Sequence, residues 1–313
     1  MPRRSFPRFF VLASLLLAPG SPASFCDHPH FELEWSDEFS GDELDTTKWM
    51  PVCTHNTSTC AAPFPTHAAD DHGAECRSAV CVREGVSLDG EGHLVLTSER
   101  KSLPGSRLQN WTTGAVKTRG KAEWSTDDGT YRVCISAKLP GVVKTNVSSS
   151  QGLWPAHWMM PDDDSCDPDE GEMDIMEMVS GNGEVEATYH WQANWPATTC
   201  AYPDGHDEIW NGTTYPGTGD PERWWYEDFH EYAVERSATA ISFAVDGVTI
   251  VNSSTYTNSS GDTKDVLLWP IPFYLILNSA VGGGWPGEPD STTVSPAQHV
   301  IDYVRVVREK GQK

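Results

Sequence analysis

Many short apolar stretches divided by Gly, Pro and Asn predict an all-β fold, a sandwich or a barrel. Three observations carry this. "YRVCISAKL" alternates so that Tyr131, Val133, Ile135, Ala137 and Leu139 share one side of a strand. "AISFAVDGVTIVN" sets Asp246-Gly247 between two apolar runs, a strong hairpin signal. No segment of about 12 residues repeats with the 3.6-residue period of an amphipathic helix.

Taken in order, the chain of 313 residues opens with "MPRRSFPRFFVLASLLLAPGSPA". A basic start, a short apolar stretch and a small-residue exit are the pattern of a secretory signal peptide. The rival is an uncleaved anchor, but Phe9 to Ala18 is short against the ~20 residues of a span. We therefore expect a signal peptide over 1–23 and a single catalytic domain over 24–313, secreted to the extracellular space or cell wall. Eight Cys suit a disulfide framework, and sequons at Asn56, Asn110, Asn146, Asn211, Asn252 and Asn258 are candidate glycan sites. The net charge is −23, and loss of a leader with three Arg and no acid takes it to −26. That charge argues against nucleic acid and anionic surfaces as partners and fits a neutral or cationic substrate. The apolar run "VLLWPIPFYLILNSAV" carries two Pro and reads as buried strand, and the tail "REKGQK" carries no lipid-anchor signal. We expect no membrane partner and a monomer.

Residues 50–80 are irregular and rich in Cys, Pro and His, a stapled loop region. "FYLILNSAV" and "HVIDYVRVV" are rich in β-formers and read as later strands. Of the 13 Trp, Trp154, Trp158 and Trp285 lie in Pro- and Gly-containing stretches that suit stacking on sugar rings; packing in the core is the alternative use.

The chemistry lies in "GEMDIMEM" at 171–178, where Glu172, Asp174 and Glu177 interrupt a run of Met and Ile. On a strand, Glu172 and Asp174 share one face and Met173 and Ile175 the other. Strict alternation would put Glu177 in the core. One extra residue near Ile175-Met176, a β-bulge, returns Glu177 to the acids and Met178 to the core. Three aligned carboxylates repel, so a metal, cationic partners or a proton on at least one of them must compensate. A protonated acid beside an ionised one is the machinery of glycoside hydrolysis. Residues bracketing Asp174 are about 13 Å apart on a flat strand, whereas a retaining pair needs about 5 Å. The sheet must therefore curve around a concave cleft. Other chemistries fall away. Gly171 is misplaced for an EF-hand loop, no HExxH or paired CxxC occurs, and the G-x-G-x-x-G at Gly282–Gly287 is followed by Pro289, Ser295 and Pro296 rather than a helix.

These residues resemble the E-x-D-x-x-E signature of glycoside hydrolase family 16, in its bulged, laminarinase-like form. "LEWSDEFSGDELDTTKW", "GAVKTRGKAEW", "GLWPAHWMMP", "FAVDG", "PFYLILNSAVGGGWPG" and "IDYVRV" resemble the family's other segments in order. The resemblance implies a β-jelly-roll sandwich of two curved antiparallel sheets with a concave substrate cleft. It makes Glu172 the nucleophile and Glu177 the acid/base, with Asp174 between them. It places His190, Trp154, Trp158 and Trp285 in the cleft and gives Arg132 a sugar-binding or acid-orienting role. It implies a structural calcium on the convex side, at Glu38, the backbone of Gly92 and Asp302, and no cofactor for catalysis. The family usually has Trp where Arg236 stands and an acid where Cys134 stands. The function implied is a retaining endo-β-glucanase acting on β-1,3 or mixed β-1,3/1,4-glucan. A cell-wall transglycosylase and a non-catalytic glucan-binding protein are the alternatives; recognition proteins of this fold typically lack the catalytic acids.

The disulfides have their own expectation. With "SGNG" at 180–183 as a turn, paired residues should sum to about 363, and we expect the bulge to raise that sum. Cys166 would then face Cys200. We expect Cys53–Cys60 and Cys76–Cys81 also to pair, which leaves Cys26 to Cys134.

Overall fold

The structure, a computed structural model, describes residues 24–53, 75–102, 110–141, 147–161, 170–191, 207–213, 225–257 and 262–311. The expected signal peptide 1–23, Cys60, Cys166, Cys200 and the sequons at Asn56, Asn146 and Asn258 lie outside these residues.

The strands are β1 (Phe31–Asp37), β2 (Met50–Pro51), β3 (Val80–Cys81), β4 (Val86–Leu88), β5 (Leu94–Ser98), β6 (Thr112–Thr113), β7 (Ala115–Lys117), β8 (Tyr131–Lys138), β9 (Leu153–Pro161), β10 (Glu172–Glu177), β11 (Val185–Trp191), β12 (Asp207–Thr213), β13 (His230–Arg236), β14 (Ile241–Val245), β15 (Val248–Ser253), β16 (Thr255–Thr257), β17 (Thr263–Asp265), β18 (Phe273–Val281) and β19 (Ala297–Glu309). Helical structure among the described residues is confined to three 3-10 turns. Seven strands, in the order β12-β11-β10-β9-β18-β7-β2, form the sheet that carries the acids. The outer sheet runs β15-β14-β13-β8-β19-β5-β4, with β1 also on β19. Both are antiparallel throughout; the short β3–β6 pair is parallel.

The predicted hairpin is present. Asp246 and Gly247, at φ 48° and 74°, join β14 to β15, the left-handed pair that a two-residue turn with the sheet's own twist requires. Tyr131, Val133, Ile135, Ala137 and Leu139 all enter the core from β8, as alternation predicts. They meet Met159, Met173, Ile175, Met176, Leu275 and Leu277 from the cleft sheet in one apolar cluster. Each fully buried aliphatic side chain contributes on the order of 1.5–3 kcal/mol. Met173, Ile175, Met176 and Met178 together therefore hold the acidic strand in place against repulsion along its other face.

On the outer face, Cys134 bonds Cys26 and fixes the segment preceding β1. Glu231 accepts from the Phe25 N–H, the Ser24 hydroxyl and the Tyr303 hydroxyl in the same place. Cys76 bonds Cys81, and Cys53 is also disulfide-bonded. Asn110 and Asn252 are exposed, and Asn211 lies on β12 opposite Ala187.

The hairpin register corrects one premise. The sum of paired residue numbers falls from 363 at Glu177↔Glu186 to 362 at Asp174↔Thr188. The extra residue belongs to β10, so its partner strand advances more slowly and the sum goes down, not up. The register therefore gives no support to facing Cys166 with Cys200.

Candidate active site

The bulge lies where the pattern requires it. On the β11 side the register shifts between Asp174 and Glu177, and on the β9 side between Asp174 and Met176. Ile175 and Met176 both turn into the core as a result. Glu172, Asp174 and Glu177 line one cavity with Arg77, Trp154, Ala156, Trp158, Asn278 and Ala280.

Each acid has a distinct setting. Asp174 is 3% exposed, and its Oδ2 lies 3.2 Å from Nε2 of His190, which projects from β11 opposite Glu172. Glu177 accepts a 2.9 Å hydrogen bond from the indole N–H of Trp154. Burial, and then the Asp174 and Glu172 carboxylates, push the Glu177 carboxyl well above the usual carboxylate range, against smaller opposing effects of Trp154 and His190. Glu177 is thus the member biased toward its protonated form, the form a general acid needs.

The aromatic residues divide the work. Trp158 donates its indole N–H to Asn278 Oδ1 at 2.8 Å, and Asn278 in turn donates to the Glu75 backbone oxygen. Trp154 gives its N–H to Glu177, meets Trp285 edge-on at 5.2 Å, and carries the Arg77 guanidinium 4.6 Å over its ring. One face of its ring is therefore taken by Arg77. Trp285 is 47% exposed and stands at the edge of Trp154, outside the lining of the acidic cavity.

A buried layer lies behind the acids. Met176 pairs with His157 across the β9 side of the bulge. His157 Nε2 lies 3.0 Å from His299 Nε2, and His299 Nδ1 lies 3.1 Å from the Asn278 carbonyl. The carbonyl can only accept, so His299 Nδ1 donates to it, His299 Nε2 accepts, and His157 Nε2 donates. Burial lowers the His299 pKa to about 4; burial and then His299 lower that of His157 well below its ordinary value. Both rings are neutral. Arg236 is buried too, 1% exposed, with its guanidinium on the Trp269 carbonyl, 3.7 Å from the Met173 sulfur and 4.3 Å over Phe273.

One sequence expectation needs correction, and a second is narrowed. Arg132 is not in the cleft. It belongs to β8 of the outer sheet, where even-numbered residues point away from the core. There Nε donates to Glu235 at 2.6 Å, a second nitrogen donates to the Phe25 carbonyl, and the guanidinium lies over Phe25 and Phe31. The Glu38 carboxylate is not a free metal ligand. Arg305 binds both its oxygens at 2.9 and 2.8 Å. A Cβ on Gly92 would come within 3.8 Å of the Glu38 backbone oxygen, and Asp302 accepts from Ser136 at 3.2 Å. A calcium ion at these positions would therefore meet Glu38 through its backbone oxygen, which lies beside Gly92, and Asp302 as the side-chain carboxylate of the set. In the adjacent turn Asp89, Glu91 and His93 cluster, but Asp89 spends its oxygens on the N–H groups of Glu91 and His93 and on the His93 ring.

Arg77 and Asn278 were not predicted. Asn278 had a readable signal: it is the first polar residue in the apolar run "FYLILNSAV", on a strand buried throughout. Arg77 had none beyond its place next to Cys76.

Known proteins give an independent measure. The description "Glycosyl hydrolases family 16" matches residues 132–305. The chain is 33% identical over 293 residues to a β-glucanase of Rhodothermus marinus, covering 90% of this chain and 86% of that protein. It is 29% identical over 290 residues to glucan endo-1,3-β-glucosidase A1 of Niallia circulans, covering 89% of this chain but 38% of that longer protein. Among solved structures, the laminarinase catalytic domain of Thermotoga maritima superposes with a TM-score of 0.67 at 27% identity, over 90% of this chain and 99% of that one. With the bulged carboxylate strand at its centre, the chain belongs to glycoside hydrolase family 16, as an endo-β-glucanase of the laminarinase-like kind.

Proposed function

We propose that this chain is a secreted endoglucanase that cleaves β-1,3 bonds, and mixed β-1,3/1,4-glucan as well, with retention of configuration. The observation that carries the proposal is the bulge that sets Glu177, biased toward its protonated form, on one face with Glu172 and Asp174. Glu172 attacks the anomeric carbon while Glu177 gives its proton to the departing oxygen. Loss of that proton leaves Glu177 as the base that activates water against the glycosyl-enzyme. Asp174 sits between them and shares its charge with His190. The linkage preference is supported by the relatives' activities, and secretion by the leader, the cystines and the sequons.

The test is chemical. Laminarin, barley glucan and agarose are supplied, and the products are followed by NMR for anomeric configuration. Glu177→Ala should accept an activated aryl β-glucoside, stall as a covalent intermediate, and turn over again with azide to give the β-azide. Glu172→Ala with azide should give the α product or none. The reverse pattern would exchange the two roles, and inverted products from the unmodified chain would sink retention.

A further inference from the structure

Arg77 is the cleft residue that the chemistry above does not use. Its backbone is left-handed, at φ 54°, a conformation that costs a residue with a Cβ on the order of 1 kcal/mol. The chain holds it there from both sides. Cys76 and Cys81 are bonded around it, the Ser78 N–H donates to the Val281 carbonyl at 2.9 Å, and Arg77 itself bridges Val281 at the end of β18. Gly283 faces it, where a Cβ would lie 3.7 Å from the Arg77 side chain. Glu288, an acid of this loop cluster, accepts from the Ser78 hydroxyl and the Gly283 N–H. The guanidinium lies instead over Trp154, 4.6 Å from the ring centroid, and among the described residues it has no carboxylate ion pair. A stacked guanidinium keeps its in-plane N–H groups free to donate sideways. Those donors border the same cavity as the three acids.

We infer that Arg77 is a substrate-binding residue: its guanidinium, laid over Trp154, is the surface that meets a sugar in the cleft and donates hydrogen bonds to that sugar's oxygens. Trp154, engaged on one face and at its N–H, then acts as the support that aims Arg77 and Glu177 together. The inference rests on the reading of the cleft as a β-glucan site.

Arg77→Gly and Arg77→Lys separate the alternatives. Glycine accepts the left-handed backbone, so the first variant removes the side chain without straining the loop. Lysine keeps the charge and loses the fork. Steady-state kinetics on laminari-oligosaccharides should show KM raised roughly tenfold in both, about what losing one charge-assisted hydrogen bond brings. kcat should stay within about twofold, and neither the pH profile nor the melting temperature should fall. An unchanged KM would overturn the assignment. So would a moved alkaline limb at constant KM, which would mean that Arg77 acts only on Glu177 through Trp154. A chain that cleaves no glucan would remove the reading beneath it as well, a result visible before any variant is made.

Discussion

The two sheets treat their carboxylates in opposite ways. On the outer sheet Glu34 meets Arg308 at 2.7 Å, Glu38 meets Arg305 at 2.8 Å and Glu235 meets Arg132 at 2.6 Å. On the cleft sheet Asp174 meets only a histidine, Glu177 meets an indole N–H, and neither has an Arg or Lys ion pair among the described residues. On the outer sheet each of these carboxylates thus has a guanidinium within hydrogen-bond reach. Carboxylates crowded together without one push a proton onto one of their number. Residue type alone therefore does not mark a catalytic acid; crowding with other carboxylates in one cavity does.

The comparison can be broken most sharply by removing acids. Glu172→Ala should lower kcat/KM at least 10⁴-fold, or about 5.5 kcal/mol in the barrier, while the chain melts cooperatively near its original temperature. Glu34→Ala or Glu235→Ala should leave kcat/KM unchanged; a comparable loss from either would erase the distinction between the sheets.

The outer sheet should answer instead to its tether. The Cys26–Cys134 bond closes a loop of sequence separation 108. Replacing both with Ser should cost about 4–5 kcal/mol in denaturant unfolding, by loop entropy, with kcat of the folded enzyme preserved.

The pH dependence of stability should bear two opposite marks. The fold disfavours ionised Glu177, so its contribution is full below the unfolded value of about 4.3 and is lost as pH rises through the raised folded value. Glu177→Gln should therefore melt higher than the parent at pH 8, with the gap closing toward pH 4. The fold disfavours charged His157 and His299, so their contribution is present above about 6.5 and is lost as pH falls toward the His299 value of about 4. His299→Gln should flatten that acid slope by up to about 1.4 kcal/mol per pH unit; an unaltered slope would mean that the pair is charged or hydrated. The smallest effect belongs to the exposed pairs: Glu38→Ala should change stability by less than about 1 kcal/mol and lose even that in high salt.

What could be read beforehand depended on local pattern. The spacing of Glu172, Asp174 and Glu177 among Met and Ile leaves one arrangement that keeps the apolar residues dry, and the bulge follows. Asp246-Gly247 is equally local. Arg132 failed because alternation says which residues share a face but not which sheet the strand joins. "YRVCISAKL" fits either sheet, and only its pairing with β13 and β19 turns Arg132 away from the cleft. Arg77 was invisible because it sits in an aperiodic segment that is brought to the acids by a cystine and by contacts with β18, more than 200 residues away in sequence. Arg236 could be seen as unusual, but not that it would lie under Met173 between two of the acids.

The seam between β1 and β19 has a mechanical consequence. Phe31 pairs with Glu309, and the Lys310 N–H donates to the His30 carbonyl, so the two described ends of the chain leave the outer sheet side by side. Tension applied to both ends would pull across the strands and open their hydrogen bonds one rung at a time, the weakest way to load a β pair. Cys26 precedes that seam, and its bond to Cys134 carries the load directly into β8 at the middle of the sheet. With the bond intact, β1 is bypassed and force reaches the molecule as shear through β8. Once it is reduced, the same pull peels β1 first. One covalent link thus sets whether this protein yields as a zipper or as a block.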